Sequence, residues 1–159
     1  MQNFISKSLS ARLHEVLLNG TWIAGTNWKN ELLKTDFSLA VCEFKQFNTI
    51  SLLCFHLNYY MQGLCSVLQG KPLEISDRFS FDAPKLHSEE DWENRKALFL
   101  KNAGLLIEFM EQASDDFLLS DFVQPQYGTW QKNIEGFIEH AWYHLGQVVL
   151  LRKMIESDH

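Results

Sequence analysis

The chain has 159 residues, 46% of them hydrophobic and 21% charged, which is ordinary for one globular domain with its own core and unlike a disordered segment. A single domain over 1–159 is therefore expected. Its 14 basic and 20 acidic side chains leave a formal charge of -6, and no Lys/Arg cluster forms a phosphate-binding stripe, so nucleic acid is not an expected partner.

Apolar residues recur at spacings of three and four, with almost no alternation at period two, and this predicts an all-α fold. A first helix is expected over 4–19, with Leu9, Leu13, Val16 and Leu17 inward and Gly20 as a left-handed C-terminal stop. In the connector 21–47, Gly25-Thr26-Asn27 marks a turn, Asp36 is placed to cap a short helix over 37–44, and Trp22 and Trp28 each need a groove to cover. A second long helix should start near Asn48 or Thr49 and run to Gln69 on the stripe Ile50, Leu53, Leu57, Tyr60, Leu64 and Leu68, stopped by Gly70 and Pro72. The stretch 71–86 contains two prolines and is long enough to cross the molecule. A third helix begins at Ser88 with a capping-box-like Ser-Glu-Glu-Asp and continues to about Ala113, where Ser114-Asp115-Asp116 ends it. After a connector over 117–128, Thr129 caps a fourth helix that runs to about Ile155. Four long helices with long crossing connections predict a compact four-helix bundle.

The first ten residues lack a basic flank followed by an apolar run, so no signal peptide is expected. The stretch 50–68 carries His, Asn, Tyr and Gln, which falls short of the roughly 18 uncharged apolar residues of a membrane span. A cytoplasmic protein with no membrane partner is the expectation. Cys42, Cys54 and Cys65 have no CxxC spacing and read as reduced thiols, the last two in a helical packing pattern.

Of six histidines, His140 and His144 are four apart on the fourth helix, so one face carries both rings and two imidazoles can converge on one ion. The surrounding run 134–150 is apolar on most sides, and Asn133, Gly136 or Phe137, and Gln147 extend the same polar ribbon. Gly136 and Gly146 cost about 1 kcal/mol each within a helix and point to close approach by another helix or a ligand. A catalytic type of site needs a third protein ligand and an open position. His56, near the middle of the second helix, is the candidate, and its other reading is a core histidine bonded to a tyrosine or a carbonyl. His14, His87 and His159 read as solvated.

The run Leu53-Cys54-Phe55-His56-Leu57-Asn58-Tyr59-Tyr60, together with Glu135-Gly136-Phe137-Ile138-Glu139-His140-Ala141-Trp142-Tyr143-His144-Leu145-Gly146-Gln147 and the following Leu150-Leu151-Arg152-Lys153, resembles the DinB-like family. The resemblance spans nearly the whole chain, and the segments 70–84 and 127–130 look like one branch of that superfamily. It implies an up-down-down-up four-helix bundle with a long connection between its second and third helices. It also implies a divalent metal held by His56, His140 and His144, with nickel or zinc ahead of iron or manganese. The family is similar to thiol-dependent transferases and isomerases, many members have no assigned reaction, and members often form homodimers.

A metal-dependent enzyme is thus the first functional expectation, a transferase that joins a low-molecular-weight thiol to a small-molecule electrophile or, as the rival, a hydrolase. Gln147 or Tyr143 would orient a proton of the bound group, and Glu139 or Asp82 would take an imidazole N–H. A non-catalytic metal- or small-molecule-binding stress-response module is the alternative, and a third reading makes the histidines satisfied core residues of a protein acting through a dimer surface. No Ser-His-Asp set, Gly-rich phosphate loop or Glu-x-x-His carboxylate pair points elsewhere.

Overall fold

The computed structural model describes residues 3–158. The first helix, α1, spans Phe4–His14 and continues as one π-helical stretch over Glu15–Asn19, burying Leu9, Leu13, Val16 and Leu17 as expected. Gly20 is not the left-handed stop anticipated: its backbone is extended, with φ -81° and ψ 150°. Its lack of a side chain serves another need, because a Cβ there would collide with the Glu15 side chain folded over it. The Glu15 carboxylate in turn accepts from the Ile23 amide, which ties the start of the connector to the end of the helix.

Two short helices follow. Asn27 caps α2 (Trp28–Leu33) by accepting from the Asn30 amide, and Asp36 caps α3 (Phe37–Ala40) by accepting from Leu39. The α2 helix lies where only a turn signal stood out, and α3 is shorter than the 37–44 expectation. Of the two connector tryptophans, Trp28 is fully buried and donates to the Ala141 carbonyl, whereas Trp22 is 91% exposed and has no groove.

The long helices end where local chemistry says they should. Thr49 caps α4 (Ile50–Leu68), and Gly70, at φ 82°, closes it with a double turn in which Lys71 donates to Ser66 and Gly70 to Val67. Ser88 caps α5 (Glu89–Gln112), while Asp91 reaches back to the His87 amide. Ser114-Asp115-Asp116 does more than end α5: Ser114 caps a further helix, α6 (Asp115–Leu119), and Asp115 accepts from the amides of Phe4, Ile5 and Ser6 at the start of α1. The last helix, α7, covers Trp130–Asp158, with the Thr129 hydroxyl accepting from Lys132.

The described residues are all-helical, without a strand; one isolated bridge joins Asp121 to Thr129. The α1 and α4 helices each pack against both α5 and α7, around a core that includes Trp28, Trp92, Phe99, Leu57 and Ile138. Cys54 and Cys65 are buried and Cys42 half-buried, all as free thiols. Burial pushes the Cys54 thiol up to about 12 and Cys65 to about 11, so both are inert packing groups.

The polar fastening of α2 onto α7 is Glu31, 1% exposed. Its carboxylate accepts from the Thr26 hydroxyl at 2.6 Å, Lys34 at 3.0 Å and Arg152 at 2.9 Å. Burial alone would raise its pKa, but these three donors together hold it below the ordinary carboxylate value. Removing the carboxylate leaves buried donors without an acceptor. Glu31→Ala should therefore cost about 3 kcal/mol of stability in urea unfolding, against little effect for the same change at exposed Glu139.

Candidate metal centre

The α4 helix supplies His56 and α7 supplies His140 and His144, one turn apart. Because α4 and α7 are packed partners, the three rings meet between them. The Nε2 of His56 lies 3.1 Å from that of His140, and the Nε2 of His144 lies 2.7 Å from the same atom. The three ligand atoms all fall within 4.8 Å of one another. His56 and His144 are buried and His140 is half-buried.

The opposite ring nitrogens determine what these contacts are. His56 Nδ1 sits 3.2 Å from the Ser80 carbonyl oxygen, an atom that only accepts, so Nδ1 carries the proton. His144 Nδ1 donates to the Gln147 amide oxygen at 2.7 Å. In both neutral rings Nε2 is therefore a lone pair aimed at His140. One proton on His140 Nε2 can serve only one of the two contacts, which leaves the cluster short of a positive centre. Ring nitrogens on a tetrahedral zinc ion, at about 2.0–2.1 Å from it, stand about 3.3 Å apart. The His56–His140 and His140–His144 pairs need a slight opening to reach that spacing, and the third pair lies within 4.8 Å. Three neutral imidazoles with converging nitrogens, two of them with the outer N–H held, are the donor set a divalent transition metal takes.

Electrostatics agree. Burial, followed by the proximity of His144 and His56, pushes His140 down to about 4. Burial also lowers His56 and His144, against the opposing hydrogen bonds from Ser80 and Gln147. All three rings are neutral at pH 7 and ready to ligate.

The enclosure comes from the connection over 69–88. Phe81 stacks on His56 with centroids 3.9 Å apart and planes 11° from parallel, and Tyr60 presents its edge to both His56 and His140 at 5.2 Å. The Tyr60 hydroxyl donates to Asp77 at 2.7 Å, Tyr59 bonds both backbone groups of Ser76, and Ile75 fills the notch left by Gly63. These contacts press the connection onto α4 and set the Ser80 carbonyl at the ring of His56.

Of the expected supporting residues, Gln147 accepts the His144 N–H, the role expected of Glu139 or Asp82, rather than meeting a bound group. Tyr143 is 65% exposed, with its ring against that of His144. Glu139 and Asp82 are exposed, and among the described residues neither bonds to an imidazole. A backbone carbonyl and an amide hold the rings instead. The carbonyl reading of His56 thus holds for one of its nitrogens while the other is free to bind. Gly136 and Gly146 are not points of close approach, since a Cβ at either would meet nothing within 4 Å. Asn133 lines the same cavity as His140 and donates to the Tyr127 and Thr129 carbonyls. His14 is half-buried rather than solvated and lies 3.2 Å from Glu111. His87 is exposed as expected, and His159 lies outside the described residues.

Ser80, Phe81 and Asp77 carry no spacing signal in the sequence; Tyr60, one turn from His56, does, as part of the apolar stripe of the second helix. In comparisons with known proteins, no family model, curated protein or solved structure matches the chain.

The depressed His140 pKa has a consequence for the metal-free protein. The unfolded chain takes up a proton near 6.5, while the folded site refuses it until about 4. Between those values the unfolded state binds more protons, so stability is full above about 6.5 and falls progressively as pH drops towards 4. Urea midpoints of metal-free protein should decline from pH 7 to pH 5, and His140→Ala should flatten that decline.

Proposed function

We propose that the chain is a metal-dependent enzyme, a DinB-like four-helix bundle in which His56, His140 and His144 hold one divalent ion. The packing of α1 and α4 on both α5 and α7 supports the bundle, and the two histidine-bearing motifs support the family. A single observation carries the metal: two Nε2 lone pairs, fixed by hydrogen bonds at Nδ1, face a third imidazole nitrogen at 3.1 and 2.7 Å. Imidazole donors suit nickel, zinc and iron better than manganese. When bound, the ion keeps its full charge among three neutral ligands and supplies a Lewis acid that favours the deprotonated form of a thiol or of water.

The chain's own residues do the rest. The Ser80 carbonyl and the Gln147 amide oxygen hold two rings in the tautomer that ligates, so no proton must leave those nitrogens on binding. Phe81 and Tyr60 pack against the His56 ring on two sides. The half-buried His140 leaves the site approachable from the α7 side. Transfer of a low-molecular-weight thiol to an electrophile is the reaction we assign, in a cytoplasmic homodimer. Among the described residues no helix is long and apolar enough to cross a membrane.

Elemental analysis of protein purified without an affinity tag should find about one equivalent of a divalent metal, and His140→Ala or His144→Ala should weaken its retention at least tenfold. Stoichiometric metal surviving both substitutions contradicts the site. Metal-loaded protein offered thiols with an electrophile panel should form the conjugate. Consumption of an ester or amide by water alone moves the assignment to a hydrolase, and no turnover with any pair moves it to a binding module.

A further inference from the structure

The seam between α4 and α7 holds two cavities, and along both helices the three histidines stand between them. One touches His140 and is lined by Tyr60, Leu64 and Gly136 among others. The second, of about 330 Å³, is lined by Leu53, one turn before His56, and by Gln147, one turn after His144. Phe47, Leu150, Leu151 and Met154 complete its apolar wall. The volume is in the range of small-molecule sites.

The polar lining of this second cavity is three uncharged amides, Gln46, Asn48 and Gln147, and no ionisable side chain lines it. An ion entering it would give up water without meeting a counter-charge. The divalent ion placed on the histidines would sit on Nε2 of His144, at the opposite end of the ring from Gln147. It would repel a cation, and an anion would still exchange water for neutral amides alone.

Gln147 belongs to both the cavity and the metal centre. Its oxygen accepts the His144 Nδ1 proton at 2.7 Å, while its amide N–H groups bond to nothing among the described residues. An acceptor placed on those N–H groups polarises the amide and strengthens the bond its oxygen makes, because hydrogen bonds in series reinforce one another. A more firmly held Nδ1 proton makes His144 Nε2 a better donor to an ion.

We infer that this cavity is an effector site for a small uncharged molecule with an apolar body and one carbonyl acceptor, which meets the Gln147 N–H groups and tightens the metal centre through His144. The site itself stands on the cavity alone; its action rests on the metal reading.

Met154 lines the cavity and supplies the readout. Zinc-loaded, full-length protein carrying methyl-labelled methionine is titrated with acetophenone and followed by NMR, and the Met154 methyl should shift. Benzoate and protonated benzylamine should bind about tenfold more weakly. Asn48→Trp and Leu150→Trp, at exposed positions on two walls of the cavity, should each diminish acetophenone binding with zinc content unchanged. Gln147→Met, which keeps the length but loses the N–H groups, should weaken acetophenone about fivefold and leave ethylbenzene, which has no acceptor, within about twofold. Saturating acetophenone should slow the loss of zinc to a chelator about threefold in the wild type. A Met154 methyl that acetophenone leaves unmoved, or a shift undiminished in both tryptophan variants, overturns the site. Benzoate or benzylamine binding as tightly as acetophenone, and lost in those variants, overturns the ligand chemistry. Zinc loss unchanged at saturation overturns the coupling. Protein that takes up no zinc overturns the metal reading and the coupling with it, while the Met154 titration of that protein still decides the cavity.

Discussion

Two hydrogen bonds on the far side of two imidazole rings govern this molecule. Once the Ser80 carbonyl takes the Nδ1 proton of His56 and the Gln147 amide oxygen that of His144, the lone pairs of both rings can only point at His140. Like partial charges are then held near one another in a buried place, where they are least screened. A folded chain tolerates such a cluster because packing elsewhere over-determines it, and a cation would turn the same arrangement from a cost into a binding site.

Much of the fold can be understood as the means of maintaining that arrangement. The Ser80 carbonyl belongs to a connection, not a helix, so its position depends on everything that presses the connection onto α4: Tyr59 on Ser76, Tyr60 on Asp77, and Ile75 in the notch at Gly63. The α7 helix must in turn keep its register against α4, and it is held by Trp28 donating to the Ala141 carbonyl and by Glu31 gripping Arg152. Both fastenings come from the short α2 helix. The cavity at Gly136 lies on the same helix, one turn from His140, so His140 and the opening beside it share one element.

How much of this was legible depended on how local the signal was. His140 and His144 stand four apart on one helix, so their proximity follows from helical geometry alone. Helix ends at Thr49, Gly70, Ser88 and Thr129 were equally local, because capping chemistry is written within four residues. His56 required knowing which helices pack together, which spacing does not reveal; the family resemblance singled it out. The residues that hold the rings were harder. Glu139 and Asp82 were expected because carboxylates commonly take an imidazole N–H, but a backbone carbonyl does this for His56, and any residue type can supply one. The start of α6 is hidden for a related reason: Ser-Asp-Asp both ends one helix and caps the next, and only the turn of the chain between them decides. Gly20 shows that a glycine's reason can be tertiary, here a folded Glu15 side chain.

The central claim is that one divalent ion sits on the Nε2 atoms of His56, His140 and His144. X-ray absorption at the edge of the bound metal tests it most directly, since imidazole rings scatter with a recognisable outer-shell pattern and sulfur at about 2.3 Å is readily told from nitrogen at about 2.0–2.1 Å. The account predicts a nitrogen and oxygen first shell with the outer-shell signature of three imidazoles, reduced to two in His56→Ala, and no sulfur in the protein as purified. A shell containing cysteine sulfur, or one whose imidazole count is the same in wild type and His56→Ala, would contradict it.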